Sequence, residues 1–369
     1  MPALSHRDNF LRMLRGESPA RLPFDLPVTP PIADVIEKNT GTRDITAAFD
    51  LSFRGVGAHI PDNREAWLAA FARIGAQVPA DAEIWPWGVT HIKPPAETVG
   101  SAYHFQTMLH PLAVITAREQ LATLPWPDFS HPASYAHLPA EVARIHAQGR
   151  AVAAGLECTV FEFAWYVRGM ENLFMDLIEE NGIADFLLDF YAARSTRMAE
   201  EFARAGVDCI CLGDDVGTQR GMMMSVEMWR AHLKPRLAGV IAAIRNAQRP
   251  GQHVYVRYHS DGDIREIIGD LIDIGVDILN PMQPECMPPD ATIAQYQHRV
   301  AFWGLIGTQT LMPFGTPADI RTFIDRCAAW HRGGARLIIA PTHVLEPDVP
   351  YANIVALAEA VHAVKLGNG

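Results

Sequence analysis

The residues best suited to chemistry lie in and around the stretch His253 to Met287, HVYVRYHSDGDIREIIGDLIDIGVDILNPMQPECM. His259 and Asp261 close one apolar run, and Asn280, Gln283, Glu285 and Cys286 follow the next. Glu162, Asp214, Asp215, Gln309 and His343 stand at comparable points elsewhere, just past the end of an apolar segment. Two histidines, a cysteine and several carboxylates are donors that a divalent transition metal takes. Imidazole and thiolate suit zinc, and a catalytic site needs about three protein ligands with one position open. His259, Cys286 and His343 form the expected ligand set, with Asp261 or Glu285 as a replacement or as a support for a ligand. The competing reading has no metal: His259 caps a helix, Cys286 is buried and His343 hydrogen-bonds a substrate.

Acid–base candidates are Glu162, Asp214, Asp261 and Glu285. Neighbouring carboxylates such as Asp214 and Asp215 push one pKa upward. Adjacent residues of an extended chain point to opposite sides, so only one of the two is expected to face a site. Glu162, among Phe161, Phe163 and Trp165, is either a carboxyl of raised pKa or one neutralised by Arg168. Trp165, Arg168, Tyr258, Asn280, Gln283 and Gln309 are candidates for holding a substrate, with Phe302 as a further wall. Met222 to Met224 read as packing or as a lid. Asp25 reads as a turn residue rather than a site residue.

These residues need a scaffold that brings strand ends together. Val254 to Tyr258 alternates as a strand, Ile264 to Ile274 has helical spacing closed by Gly275, and Val276 to Leu279 starts another strand. The same order recurs: strands at 151–156, 209–212, 300–304 and 335–340, with helices at 139–147, across 170–205, and at 226–246, 317–331 and 351–364. Near the N-terminus, Ser5 caps a helix to Arg15, a short strand covers 21–26, and a helix follows at 31–38. Glu83–Val89 and Tyr103–Gln106 read as strands of an inserted hairpin. Alternation of this kind implies a parallel sheet, and eight units close as a (β/α)8 TIM barrel whose loops after the strands carry the site. An open doubly wound sheet is the alternative, but the sequence lacks the glycine-rich phosphate loop such a sheet usually carries. The barrel is expected to occupy all of residues 1–369 as a single domain.

The chain has 369 residues, 49% of them hydrophobic, and a formal charge of −11. That balance disfavours nucleic acid or an anionic membrane as the main partner. No apolar run reaches the roughly 20 residues of a membrane span. Five cysteines without a paired spacing read as thiols of a cytoplasmic protein.

The stretches RDNFLRMLRGESPARLPF, LGDDVGTQRGMM, YHSDGDIREIIGDLIDIGVDILNPMQPECM, FWGLIGTQTLMPFGTP and APTHVLEPDVPYANIVA together resemble the uroporphyrinogen decarboxylase superfamily over nearly the whole chain. The resemblance implies a (β/α)8 barrel with its site at the C-terminal mouth, and a homodimer. The superfamily includes metal-free decarboxylases of a tetrapyrrole, which grip its carboxylates with arginines after the first strand. Here Leu26-Pro27-Val28-Thr29-Pro30-Pro31 stands in that place. It also includes methyltransferases that work with a corrinoid (cobalamin) protein and hold zinc through a His-x-Cys pair and a later cysteine. His259 matches that histidine, whereas Asp261 and His343 stand where the two cysteines would be. The resemblance therefore implies a zinc-dependent O-demethylase component. It would move a methyl group from a small methoxylated donor to a corrinoid protein, through a metal site that polarises oxygen. A tetrapyrrole decarboxylase is the alternative and would need Arg168, Arg220 or Arg257 to converge. A barrel that binds a ligand without turnover is the third.

Overall fold

The computed structural model describes residues 4–94 and 107–366. Barrel strands are β1 (Phe53–Val56), β5 (Ala151–Glu157), β6 (Cys209–Gly213), β9 (Tyr255–His259), β10 (Ile278–Asn280), β11 (Ala301–Trp303) and β12 (Leu337–Ile338); β2 to β4 and β7 to β8 belong to two small antiparallel additions given below. The seven pair in parallel in the order β1-β5-β6-β9-β10-β11-β12. An eighth segment around Phe24 closes the ring. It bridges Ile339 in parallel on one side, and on the other Ser52 donates its amide to the Phe24 carbonyl at 2.9 Å. This is the expected barrel.

Two layers of core follow from strand alternation. Residues pointing outward, such as Val256, Tyr258, Leu279 and Phe302, pack beneath the surrounding helices. Residues pointing inward, among them Phe53, Cys209, Cys211, Tyr255, Ile278 and Trp303, fill the lower barrel. Helix α1 (His6–Arg15) seals the bottom: its Phe10 meets Phe53 edge-on at 4.9 Å, and Tyr255 and Trp303 at slightly longer range. Ser5 and Asp8 form a capping box at its start, and Gly16 ends it in the left-handed region at φ 71°.

Between β1 and β5 the chain inserts a three-stranded antiparallel sheet, β2 (Glu83–Ile84), β3 (Thr90–Ile92) and β4 (Thr107–Leu109). The insertion is as expected, but its first hairpin turns within Trp85–Gly88, so the predicted strand Glu83–Val89 is a strand and a turn. The predicted strand Tyr103–Gln106 lies outside the described residues. After β6, a tight hairpin of β7 (Gly217–Thr218) and β8 (Gly221–Met222) leans over the mouth. The predicted helix 226–246 is two helices, Val226–His232 and Lys234–Ala247, because Pro235 in the first turn of the second has no amide to continue the first. The stretch 170–205 likewise divides into Met170–Glu179 and Ile183–Ala205. Among the described residues no helix is long and apolar enough to cross a membrane.

Candidate active site

On β9 the inward positions are Tyr255, Arg257 and His259, so His259 arrives at the C-terminal mouth. Its ring is fixed by its neighbour in the sheet. Nδ1 lies 2.7 Å from Oδ1 of Asn280, whose Nδ2 donates to the Trp303 carbonyl at 3.0 Å. With its amide so oriented, Asn280 accepts a hydrogen bond from Nδ1–H and leaves Nε2 directed into the mouth. Nε2 is 3.8 Å from Oδ1 of Asp215 and 3.9 Å from Oδ1 of Asp261. Ligand atoms of His259, Asp261 and His343 all lie within 4.8 Å of one another. Burial works against the His259 imidazolium, but the carboxylates of Asp261 and Asp215 and the bond to Asn280 outweigh it and raise the pKa.

The loop after β9 is held by backbone contacts. The Asp261 amide donates to Asp215 at 2.7 Å and the Gly262 amide to Oε1 of Gln283 at 2.9 Å. Gly262 has φ +85°, and a side chain there would strike the backbone of Gly217 and Thr218. Only glycine lets the β7–β8 hairpin settle against this loop.

Glu162 opens the helix Phe161–Arg168 that crosses the end of β5. Its Oε1 accepts from the Tyr166 hydroxyl at 2.8 Å, and Oε2 from the Asp215 amide at 3.0 Å. Burial, and then the nearby Asp215 charge, raise its pKa to about 7. A buried carboxyl of that strength, beside a donor cluster, is equipped to exchange a proton near neutral pH.

These groups line a cavity of 590 Å³, a size suited to a small molecule. Trp165, Tyr166 and Trp303 give it aromatic walls, Met108 of the inserted sheet and Met223 its upper edge, and Asp25, Glu157 and Arg257 a polar floor. His259, Asp261, His343, Glu162, Trp165 and Asn280 thus meet in one place.

Other sequence candidates sit elsewhere. Cys286 is outside the donor cluster: its thiol donates to Oε1 of Gln219 at 3.1 Å, and burial followed by the Glu285 charge pushes its pKa up to about 11. Asp261, rather than Cys286, lies with His259 and His343 in that cluster. Glu285 packs on Gly307 and accepts from the Thr310 hydroxyl at 3.1 Å, off the cavity wall. Asp214 turns away to cap the helix Phe161–Arg168, accepting the amides of Val160, Phe161 and Glu162 at 2.8 to 3.1 Å. The residue facing the mouth is Asp215. Arg168 does not neutralise Glu162. It forms a buried pair with Asp176 at 2.7 Å and donates to the carbonyls of Leu112, Ala113 and Ile115. Tyr258 and Phe302 point to the outer core, Gln283 supports Gly262, and Gln309 is exposed.

Asp25, Glu157, Cys158, Tyr166 and Trp303 were not expected in the cavity. Asp25 lies on the closing segment rather than in a turn, next to Phe24, which faces outward. Strand parity was a usable signal for Trp303, because it follows an outward-facing phenylalanine in a fully apolar run. Tyr166 carried none.

Comparison with solved structures finds a methyltransferase from Methanosarcina mazei at TM-score 0.62 and 16% identity, covering 97% of this chain and 98% of that one. At that identity the likeness is one of fold, and it extends over both chains. A β-L-arabinopyranosidase from Geobacillus stearothermophilus aligns over 96% of this chain and 78% of its own, with 11% identity and a TM-score of only 0.39. Comparison with curated proteins finds no match. The family description of uroporphyrinogen decarboxylase (URO-D), by contrast, matches residues 70–364. That span runs from ahead of the inserted sheet through every strand from β5 to β12, and so takes in His259, Asp261 and His343; the chain belongs to the uroporphyrinogen decarboxylase family.

Proposed function

We propose that the protein is a zinc-dependent methyltransferase that takes a methyl group from a small methoxylated substrate, with a corrinoid protein as the methyl acceptor. The observation that carries this reading is the convergence of His259, Asp261 and His343 at the cavity mouth. Two imidazole nitrogens and a carboxylate oxygen form a ligand set of the kind catalytic zinc uses. The separation of 3.9 Å between Nε2 of His259 and Oδ1 of Asp261 is too long for a hydrogen bond. It comes near the roughly 3.4 Å between ligand atoms that bonds of about 2.1 Å give around a tetrahedral ion. The bond from His259 to Asn280 is the outer support such a ligand needs. A cation held there supplies Lewis acidity toward an ether oxygen.

The chain's own groups do the rest. Trp165, Tyr166 and Trp303 shield the methyl ether from water and orient it. As the methyl carbon leaves for a two-electron nucleophile, the oxygen keeps the C–O bonding pair and takes a proton from Glu162. The open C-terminal mouth is the side from which the corrinoid partner has access. A homodimer and a cytoplasmic setting belong to the same reading.

The charge of the cavity weighs against the tetrapyrrole decarboxylase. Among the described residues, Asp25, Glu157, Glu162, Asp215 and Asp261 line it against a single arginine, Arg257, which is already paired with Glu157. A polycarboxylate would meet repulsion there rather than a clamp. Zinc titration into chelated wild-type protein and a His343→Ala variant tests the proposal. One ion per chain, lost in the variant, is expected; absence of binding, or methyl transfer indifferent to chelation, overturns it.

A further inference from the structure

Arg194 is buried on the helix Ile183–Ala205, and among the described residues it has no carboxylate within ion-pair distance. Its Nε has no hydrogen-bond partner there, and one terminal nitrogen reaches only the Ser195 hydroxyl, at 3.4 Å. What the guanidinium faces instead is a pair of rings. Its central carbon lies 4.3 Å from the centre of Trp87 and 4.8 Å from that of Phe163. Those two ring centres are 5.5 Å apart, with their planes tilted by 48°. Trp87 sits in the first hairpin turn of the inserted sheet, whereas Phe163 lies in the first turn of the helix that carries Glu162, Trp165 and Tyr166. Tyr191, Arg194 and Ser195 share one helical face, and it touches both elements again. The Tyr191 hydroxyl donates to the Trp87 carbonyl at 3.1 Å, and the Ser195 hydroxyl to the carbonyl of Thr159, just ahead of Phe161, at 2.7 Å.

A cation is drawn to the face of an aromatic ring, the more strongly away from water. One guanidinium attracted to two rings on separate elements therefore pulls those elements together. The charge does not serve overall stability, because a buried cation has lost its water and has no carboxylate to replace it. Burial accordingly pushes the Arg194 pKa down to about 10. We propose that Arg194 is a positioning residue, tying the inserted sheet to the helix Phe161–Arg168 and so holding Glu162 and Trp165 in place at the cavity. As a role in methyl transfer this rests on the reading above; as a tie between two elements it does not.

Hydrogen exchange of the whole chain, read by mass spectrometry, tests the tie without turnover. In Arg194→Met, peptides covering Phe161–Arg168 and residues 85–88 are expected to exchange about tenfold faster, the yield of losing a desolvated cation–ring contact. The barrel strands should keep their rates, and the melting temperature should not fall. Arg194→Lys leaves a cation against the rings and is expected to stay within about threefold of wild type. Trp87→Leu removes one ring of the tie and should speed exchange in the same helix, which answers the question if the methionine variant fails to fold. Combined with Arg194→Met it should add little, since both changes break one contact. In turnover, kcat of Arg194→Met should fall by a similar factor, while zinc affinity, whose ligands lie on other elements, stays as it is. Unchanged exchange in the helix Phe161–Arg168, faster exchange across the barrel with a lower melting temperature, a lysine variant as loose as the methionine one, or wild-type kcat from a loosened helix overturns the inference. If the wild-type protein transfers no methyl group, local loosening in Arg194→Met leaves the tie standing and removes the methyltransferase reading. Methyl transfer by the wild type, with no loosening in any variant, would do the reverse.

Discussion

Asn280 touches no substrate in this scheme, yet it decides which nitrogen His259 presents. Replacing it with alanine frees the ring to choose the other tautomer and removes the acceptor at 2.7 Å. Zinc affinity, read by competition with a chromophoric chelator, is expected to fall about 10- to 100-fold. Glu162 makes a prediction of a different kind. Its folded pKa of about 7 lies above the model-peptide value of 4.5, so the stability it contributes is complete below that lower value and is lost as pH rises through about 7. Glu162→Gln should therefore raise the melting temperature of chelated protein at pH 8 and change it little at pH 4.5. An equal effect at both would contradict the raised pKa. Single residues also mark how far the sequence could be read. That His259 and His343 share a rim follows from their positions after apolar runs. The choice between Asp214 and Asp215 was also open to inference, because Cys209 and Cys211 face the barrel interior and counting on by twos reaches Asp215. The same counting along β9 excludes Tyr258. Nothing local indicates that Cys286 turns toward Gln219, since that depends on how a hairpin far back in the chain leans across the mouth.

At the scale of elements, the helix Phe161–Arg168 owes its start to a residue outside it. Asp214, at the end of β6, accepts the amides that open that helix, and the helix carries Glu162, Trp165 and Tyr166 into the cavity. Asp214→Ala is expected to cost about 1–2 kcal/mol as a lost cap, and more if the buried amides find no water. Urea denaturation measures this, and proton transfer by Glu162 should suffer with it. The strand–helix order from residue 151 onward was legible because each period is long and strongly apolar. Ends were less so: Pro235 breaks what reads as one helix, and β12 is confined to Leu337–Ile338 within a longer apolar run. The inserted sheet is harder to read, because its strands are too short to alternate clearly.

The molecule as a whole is a barrel stoppered at one end and open at the other. Phe10 supplies much of the stopper, so Phe10→Ala should cost about 3–5 kcal/mol, the usual range for a large buried ring, seen as a lower urea midpoint at unchanged slope. A loss well under that range would mean that α1 is a lid rather than part of the core. The seam at Phe24 and Ile339 has a consequence for how the protein is made. The ring is fastened by the segments that come first and last among its strands in chain order. Until the ribosome has delivered the last strand, the nascent sheet has two raw borders whose amides and carbonyls can recruit a neighbouring chain. Synthesis thus leaves this barrel vulnerable to self-association until that strand is out, and chaperone shelter up to that point is where its yield would be decided.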